Sequence, residues 1–152
     1  MLLEPVPTAF VDIASLIVRA NRVYAEQPGL GLWHASDRSG QFLGVVSLLP
    51  ALSAGAVDLG LRFVPALASR GEAGDAALAL CEHAFATLGL LNLSAQLHVD
   101  DRPGRHWLEA CGFADEGESV RHGASARTFT LDNGTWQRRA VDMFPADPSP
   151  PR

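Results

Sequence analysis

Three stretches of strand-like pattern follow one another with no helix between them, and then the pattern changes. "LGLWHAS" (30–36), "QFLGVVSLLP" (41–50) and "AVDLGLRFVP" (56–65) read as strands, separated by the turns "DRSG" (37–40) and "SAG" (53–55). Residues 73–89, "AGDAALALCEHAFATLG", then switch to helical spacing: Ala77, Leu80/Cys81, Ala84 and Leu88 line one stripe, with Phe85 beside it. Gly89 is a natural stop. A helix placed after three antiparallel strands can cross the sheet and return the chain parallel to the third strand. "LNLSAQLHV" (91–99) supplies that returning strand.

The rest of the chain fits around this unit. "TAFVDIASLIVRANRVYAEQ" (8–27) reads as an amphipathic helix, with Thr8 as N-cap and a stripe of Phe10, Ile13, Leu16/Ile17, Ala20 and Tyr24. "DDRPGRHWLEACG" (100–112) reads as a loop and a short helix closed by Gly112. "FADEGESVRH" (113–122) and "SARTFTLD" (125–132) are two further strands, and 133–143 is a final short helix. The expected architecture is α/β or α+β, one mostly antiparallel sheet flanked by helices, in a single domain over 1–143. The proline-rich "FPADPSPPR" (144–152) is expected to be a disordered tail.

Composition excludes several classes. The net charge is −5, and no lysine- or arginine-rich block supplies the basic face that nucleic acid demands. Cys81 and Cys111 lie far apart without metal-ligand spacing, so two free thiols and no metal are expected. No apolar run approaches the ~20 residues of a membrane span, and "MLLEPVPTAF" lacks the basic start of a signal peptide. A cytoplasmic location is the expectation.

The turn "RGEAGDAAL" (70–78) admits two readings: an ordinary helix start, or a backbone cradle for phosphate. Its amides open a helix and so have no helical partner, and such a start carries about half a positive charge. Gly71 can take a positive φ and lets a ligand approach the backbone.

Three blocks in order set the direction. They are "GLWHASDRSGQFLGVVSLLP", "VDLGLRFVPALASRGEAGDAALALCEHAFATLGLLNLSA" and "DRPGRHWLEACGF". Together, over roughly residues 31–132, they resemble the GNAT acyltransferases, and within them the branch of the ribosomal-protein alanine N-acetyltransferases. The resemblance implies that Ser69, Arg70, Gly71, Glu72, Ala73 and Gly74 wrap the pyrophosphate of acetyl-CoA. It implies a splayed third strand whose backbone at Leu61, Phe63 and Val64 holds the thioester and the pantetheine arm. A backbone N–H there would stabilise the oxyanion of acyl transfer.

The chain also departs from the family pattern. Ala68 replaces the usual Gln, Arg or Trp of the loop. Asp101 and Gly104 replace the Asn and Ser of the third block, where the family contacts the cofactor arm. Leu108 stands where many members carry a tyrosine acid, and a first strand and helix found in relatives are lacking. Asp58 and His98 are the candidates for proton transfer from the amine. Trp33 and Phe42 either line the acceptor side or pack the hairpin. His106 is expected at the surface and His83 to point away from the core. The implied activity is transfer of an acyl group, an acetyl by expectation, from acetyl-CoA to an amine, either a small molecule or a protein N-terminus. The acidic net charge leans toward a cationic acceptor. A non-catalytic module that binds acyl-CoA or a protein partner is the alternative, and a homodimer is possible in either case.

Overall fold

The structure, a computed structural model, describes residues 10–51, 55–64, 71–121 and 123–143. Thr8, the turn residues Ser69 and Arg70, Ala68, and the 144–152 segment lie outside the described residues. The chain runs α1 (Phe10–Glu26), β1 (Gly31–Ser36), β2 (Phe42–Pro50), β3 (Val57–Phe63), α2 (Gly71–Glu82), β4 (Asn92–His98), α3 (Arg102–Cys111), β5 (Ala114–Arg121), β6 (Ala124–Asp132) and α4 (Asn133–Met143). The strands form one sheet in the order β1-β2-β3-β4-β6-β5. Every adjacent pair is antiparallel except β3–β4, which is parallel.

Strand alternation sorts the side chains. Val57, Leu59, Leu61 and Phe63 of β3, and Leu93, Ala95 and Leu97 of β4, are buried on one face. Phe129 and Leu131 of β6 join them. The helices α2, α3 and α4 supply Ala77, Leu80, Leu108 and Trp136 to the same core. Each fully buried Leu or Phe contributes roughly 1.5–3 kcal/mol. The opposite face of β3 carries Asp58, Gly60 and Arg62, and that of β4 carries Ser94 and Gln96. There α1 covers only the β1–β2 end, where its Leu16 shares a cavity lining with Leu32, Val45 and Leu49.

Three local expectations are corrected. Among the described side chains of α1, Ala20 and Val23 are buried and Leu16 packs against the core, whereas Tyr24 is 61% exposed. The second helix starts at Gly71, two residues before the periodic run, and ends in a π-helical turn, His83–Thr87. His83, its first residue, turns inward. Its Nε2 hydrogen-bonds the Gly29 carbonyl at 2.9 Å, and its ring meets Trp33 edge to face. His83 therefore ties the helix to the end of α1 instead of facing solvent. The turn also places Phe85 against Trp136, with ring centroids 6.0 Å apart.

Cys81 and Cys111 are free and buried side by side in the core. Their shared hydrogen bond and burial hold the Cys81 thiol well above the ordinary thiol range, so Cys81 stays protonated.

Charge organises the β5–β6 edge. Asp115 accepts from the Gly117 amide at 2.9 Å, from Arg127 Nε at 2.8 Å and from Arg105 at 3.2 Å. The Gly117 bond, at a bulge where that residue takes φ +107°, does most to hold the Asp115 carboxyl below its ordinary range, and Arg127 adds to it. A carboxylate with a lowered folded pKa stabilises the protein above its unfolded pKa of about 3.9, and this is lost as pH falls through the folded value. The Asp115→Asn variant should therefore melt below the parent at pH 7, with the gap closing below about pH 4; a pH-independent gap in thermal melts would remove the ionised carboxylate as the cause. A second test concerns Gly44, where an added Cβ would meet the Arg62 carbonyl oxygen at 2.1 Å and Phe63 Cα at 2.7 Å. Both are backbone atoms of β3. Urea unfolding of Gly44→Ala should show a loss of at least ~1–3 kcal/mol, the usual cost of overpacking.

Candidate functional site

The site grows from the way β3 leaves β4. Their parallel ladder has one registered pair, Asp58 with Ser94. On its other side β3 is fully engaged with β2, from Pro50–Val57 to Gly44–Phe63. The Val64 N–H donates to the Leu43 carbonyl at 2.8 Å. An antiparallel ladder alternates, so Asp58, Gly60, Arg62 and Val64 turn their amides to β2. Leu61 and Phe63 turn theirs the other way, into the wedge that opens toward β4. Val64, expected among the wedge groups, is thus corrected: its amide belongs to the β2 ladder.

The first turn of α2 lies beyond this wedge. The first amides of an α-helix have no acceptor inside it, and among the described residues of α2 these belong to residues 71–73. Gly71 does not take a positive φ; it opens the helix with ordinary backbone. Its permissiveness is spatial instead: a Cβ placed there meets nothing within 4 Å. Gly74 faces Trp107 of α3, and a Cβ added at Gly74 would lie 3.8 Å from its ring. Trp107 in turn meets Phe63 edge to face at 6.1 Å. Ala73 is buried in the core, and Glu72 is half-buried in the first turn. One aromatic thus links the end of β3 to the start of α2. The wedge offers N–H donors at one end and a helix N-terminus at the other. That pairing suits an extended ligand with a carbonyl at one end and phosphate at the other.

Asp101 and Gly104 are spoken for by each other. Asp101 is the N-cap of α3, 8% exposed, and its Oδ1 accepts from the Gly104 amide at 2.9 Å. Its Oδ2 is buried with no hydrogen-bond partner. A Cβ on Gly104 would lie 2.7–2.9 Å from the Asp101 carboxylate atoms. With the carboxylate in this position, any residue larger than glycine at 104 would have to push it aside. The structure turns the Asp101 carboxylate into its own helix.

Asp58 sits where the two strands part. Its carboxylate accepts from the Ser94 hydroxyl, and it lines both cavities of the open sheet face. The first, of about 180 Å³, includes Arg19, Ser47, Gly60, Leu61, Arg62 and Gln96. The second, of about 550 Å³, includes Ser94, Gln96, Thr128, Thr130 and Asp132. Asp132 is held ionised by the Thr135 amide and hydroxyl, which lower its pKa as it caps α4. His98 lies four residues beyond Ser94, about 13 Å along the strand. Its side chain is 48% exposed and its Nδ1 accepts from the Asp100 amide at 3.2 Å. It lines neither cavity. Trp33 is on the opposite face against His83, and Phe42 is exposed beside His34, so neither reaches Asp58. His106 is exposed on α3.

The sequence reading missed Arg19, Ser47, Arg62, Ser94, Gln96 and the two threonines. The signal was present in part: Asp58, Gly60 and Arg62, like Ser94 and Gln96, recur at the strand period of two on the face opposite the apolar residues.

The family model described as an acetyltransferase (GNAT) domain matches residues 6–114. No curated protein matches at the sequence level. Among solved structures, the ribosomal-protein-S5-alanine acetyltransferase from Vibrio fischeri is similar at 15% identity and TM-score 0.69, over 88% of this chain and 80% of that one. An acetyltransferase from Agrobacterium tumefaciens is similar at 19% identity and TM-score 0.69, over 83% and 74%. A spermidine N-acetyltransferase from Vibrio cholerae is similar at 16% identity and TM-score 0.66, over 87% and 80%.

The Asp101–Gly104 geometry makes a signed prediction. In an Asp101→Ala background, Gly104→Ala should stabilise the protein by up to ~1 kcal/mol, the helix preference of alanine over glycine. In the parent, the same change should destabilise it, because the methyl group meets the carboxylate. Asp101→Ala alone should cost about 1 kcal/mol as a lost cap. A denaturant double-mutant cycle reads all three, and additive effects would contradict the contact.

Proposed function

Because the chain belongs to the GNAT acetyltransferase family, we propose that it moves an acetyl group from acetyl-CoA to an amine by direct attack in a ternary complex. The observation that carries this reading is the wedge between β3 and β4, with the Leu61 and Phe63 amides turned into it. The residues present fit the donor. The amides opening α2 receive the pyrophosphate, aided by the open space at Gly71. Ser69 and Arg70 extend this cradle by resemblance.

The wedge amide of Leu61 donates to the thioester oxygen as negative charge develops there. A fixed N–H costs no reorganisation at that moment. Asp58 takes the proton from the attacking amine, directly or through water. The Ser94 hydroxyl, bonded to the Asp58 carboxylate, fixes its orientation. Holding donor and acceptor together supplies the remaining advantage, since the reaction becomes effectively unimolecular. His98, exposed and engaged in its own turn, takes no part in this scheme. Asp101 and Gly104 close α3 and leave the cofactor arm to the backbone of β3.

Calorimetric titration with acetyl-CoA should give saturable micromolar binding. Gly71→Glu, in a position with room for the side chain, should abolish it by setting a carboxylate against the phosphates; unchanged affinity would remove the cradle. For Asp58→Asn, turnover should fall ~10²–10⁴-fold with acetyl-CoA affinity kept. Full activity would rule out the base. Binding of acetyl-CoA without transfer to any amine would favour a non-catalytic acyl-CoA module.

A further inference from the structure

We infer that the acceptor is a small amine that also carries a carboxylate, held with its amine toward Asp58 and its carboxylate toward Arg62. This rests on the acetyl-transfer reading above and assigns the substrate class of the same site. The two cavities on the open sheet face share Asp58 and Gln96 at their junction. Their charges differ in sign. Apart from Asp58, the smaller cavity is charged only by Arg19 and Arg62 among its lining residues. The larger adds a second acid, Asp132, and no cation. A ligand in the smaller cavity, with one end at the junction, therefore meets acid there and guanidinium at its other end.

The spacing suits a small molecule. Asp58 and Arg62 stand four residues apart on one face of β3, about 13 Å along the strand. Gly60 lies between them, and a Cβ there would strike the Ser47 hydroxyl at 2.4 Å. The strand thus offers a floor without a side chain, bounded by an anion and a cation. Arg62 carries five donors in a planar fork, so a contact within the protein does not exhaust its capacity for a carboxylate. Arg19, which also donates to the Pro50 carbonyl, adds positive potential from α1. The protein's net charge of −5 pointed toward a cationic acceptor; the charges lining the smaller cavity point the other way. A polycation would bring positive charge against both guanidinium groups.

Matched pairs test this: free amino acids of increasing amine-to-carboxylate span, from α- to ω-amino acids, each against the amine that lacks its carboxylate, with spermidine as polycation. Binding to the full chain is read by calorimetry, and acetyl transfer separately by CoA release. The acid of a pair should bind at least about tenfold more tightly than its amine, the scale of a charge-assisted hydrogen bond. Arg62→Gln should bring that ratio close to one, and Arg62→Lys should keep part of it. Melting temperatures check that both variants fold. Equal binding within pairs, tighter binding of spermidine, or a preference that survives both Arg62→Gln and Arg19→Gln would overturn the inference. If acids bind preferentially but nothing is acetylated, the carboxylate site stands and the transferase reading falls. If amines are acetylated without preference, the reverse holds.

Discussion

The site depends on a single place where two parallel strands touch. At Asp58 and Ser94 the β3–β4 ladder holds one registered pair, and beyond it β3 follows β2. Continued pairing would satisfy the Leu61 and Phe63 amides and close the wedge. An amide buried without a partner costs about 1–3 kcal/mol, so something must hold β3 in place while those groups point away from the β2 ladder without a registered β4 pair. Side-chain burial does so. Leu59, Leu61 and Phe63 are almost completely enclosed on the helix-bearing face, and each contributes roughly 1.5–3 kcal/mol. The strand is pinned by its side chains and by β2, which leaves the backbone on its third side available for chemistry.

The helices complete what the strands begin. Trp107 of α3 contacts both Phe63 and the Gly74 position of α2, so the donors of the wedge and those of the helix start are positioned by one aromatic. At the far end of α2, in the π-helical turn, His83 meets the Gly29 carbonyl and Phe85 meets Trp136. The helix is thus fixed at both ends to other elements. A helix N-terminus that binds an anion needs such fixing, because its field falls off within the first turn.

Much of the fold was legible because strand and helix periods are strong local signals. The strands, the parallel return after the long helix, and the closing strand pair all follow from periodicity and turn residues. The three-block resemblance gave the family. The corrections share one cause, which is that they depend on which neighbour a residue meets. Val64 lost its free amide to a ladder phase that only the β2–β3 register defines. His83 turned inward because its partners, the Gly29 carbonyl and Trp33, come from other elements that the helix period cannot foresee. Gly71 took helical backbone because the helix began earlier than its apolar stripe. The polar row on the open face was half legible: alternation marked Asp58, Gly60 and Arg62, but the pairing that brings Thr128 and Thr130 beside Gln96 and Ser94 is a matter of register.

The cap of α3 has a consequence for how this sequence can change. Asp101 and Gly104 form one unit, since the carboxylate occupies the space that any side chain at 104 would enter. Exchanges at the two positions are not interchangeable in order. A chain that first gains a side chain at 104 passes through a strained helix start, whereas one that first shortens residue 101 passes only through an uncapped one.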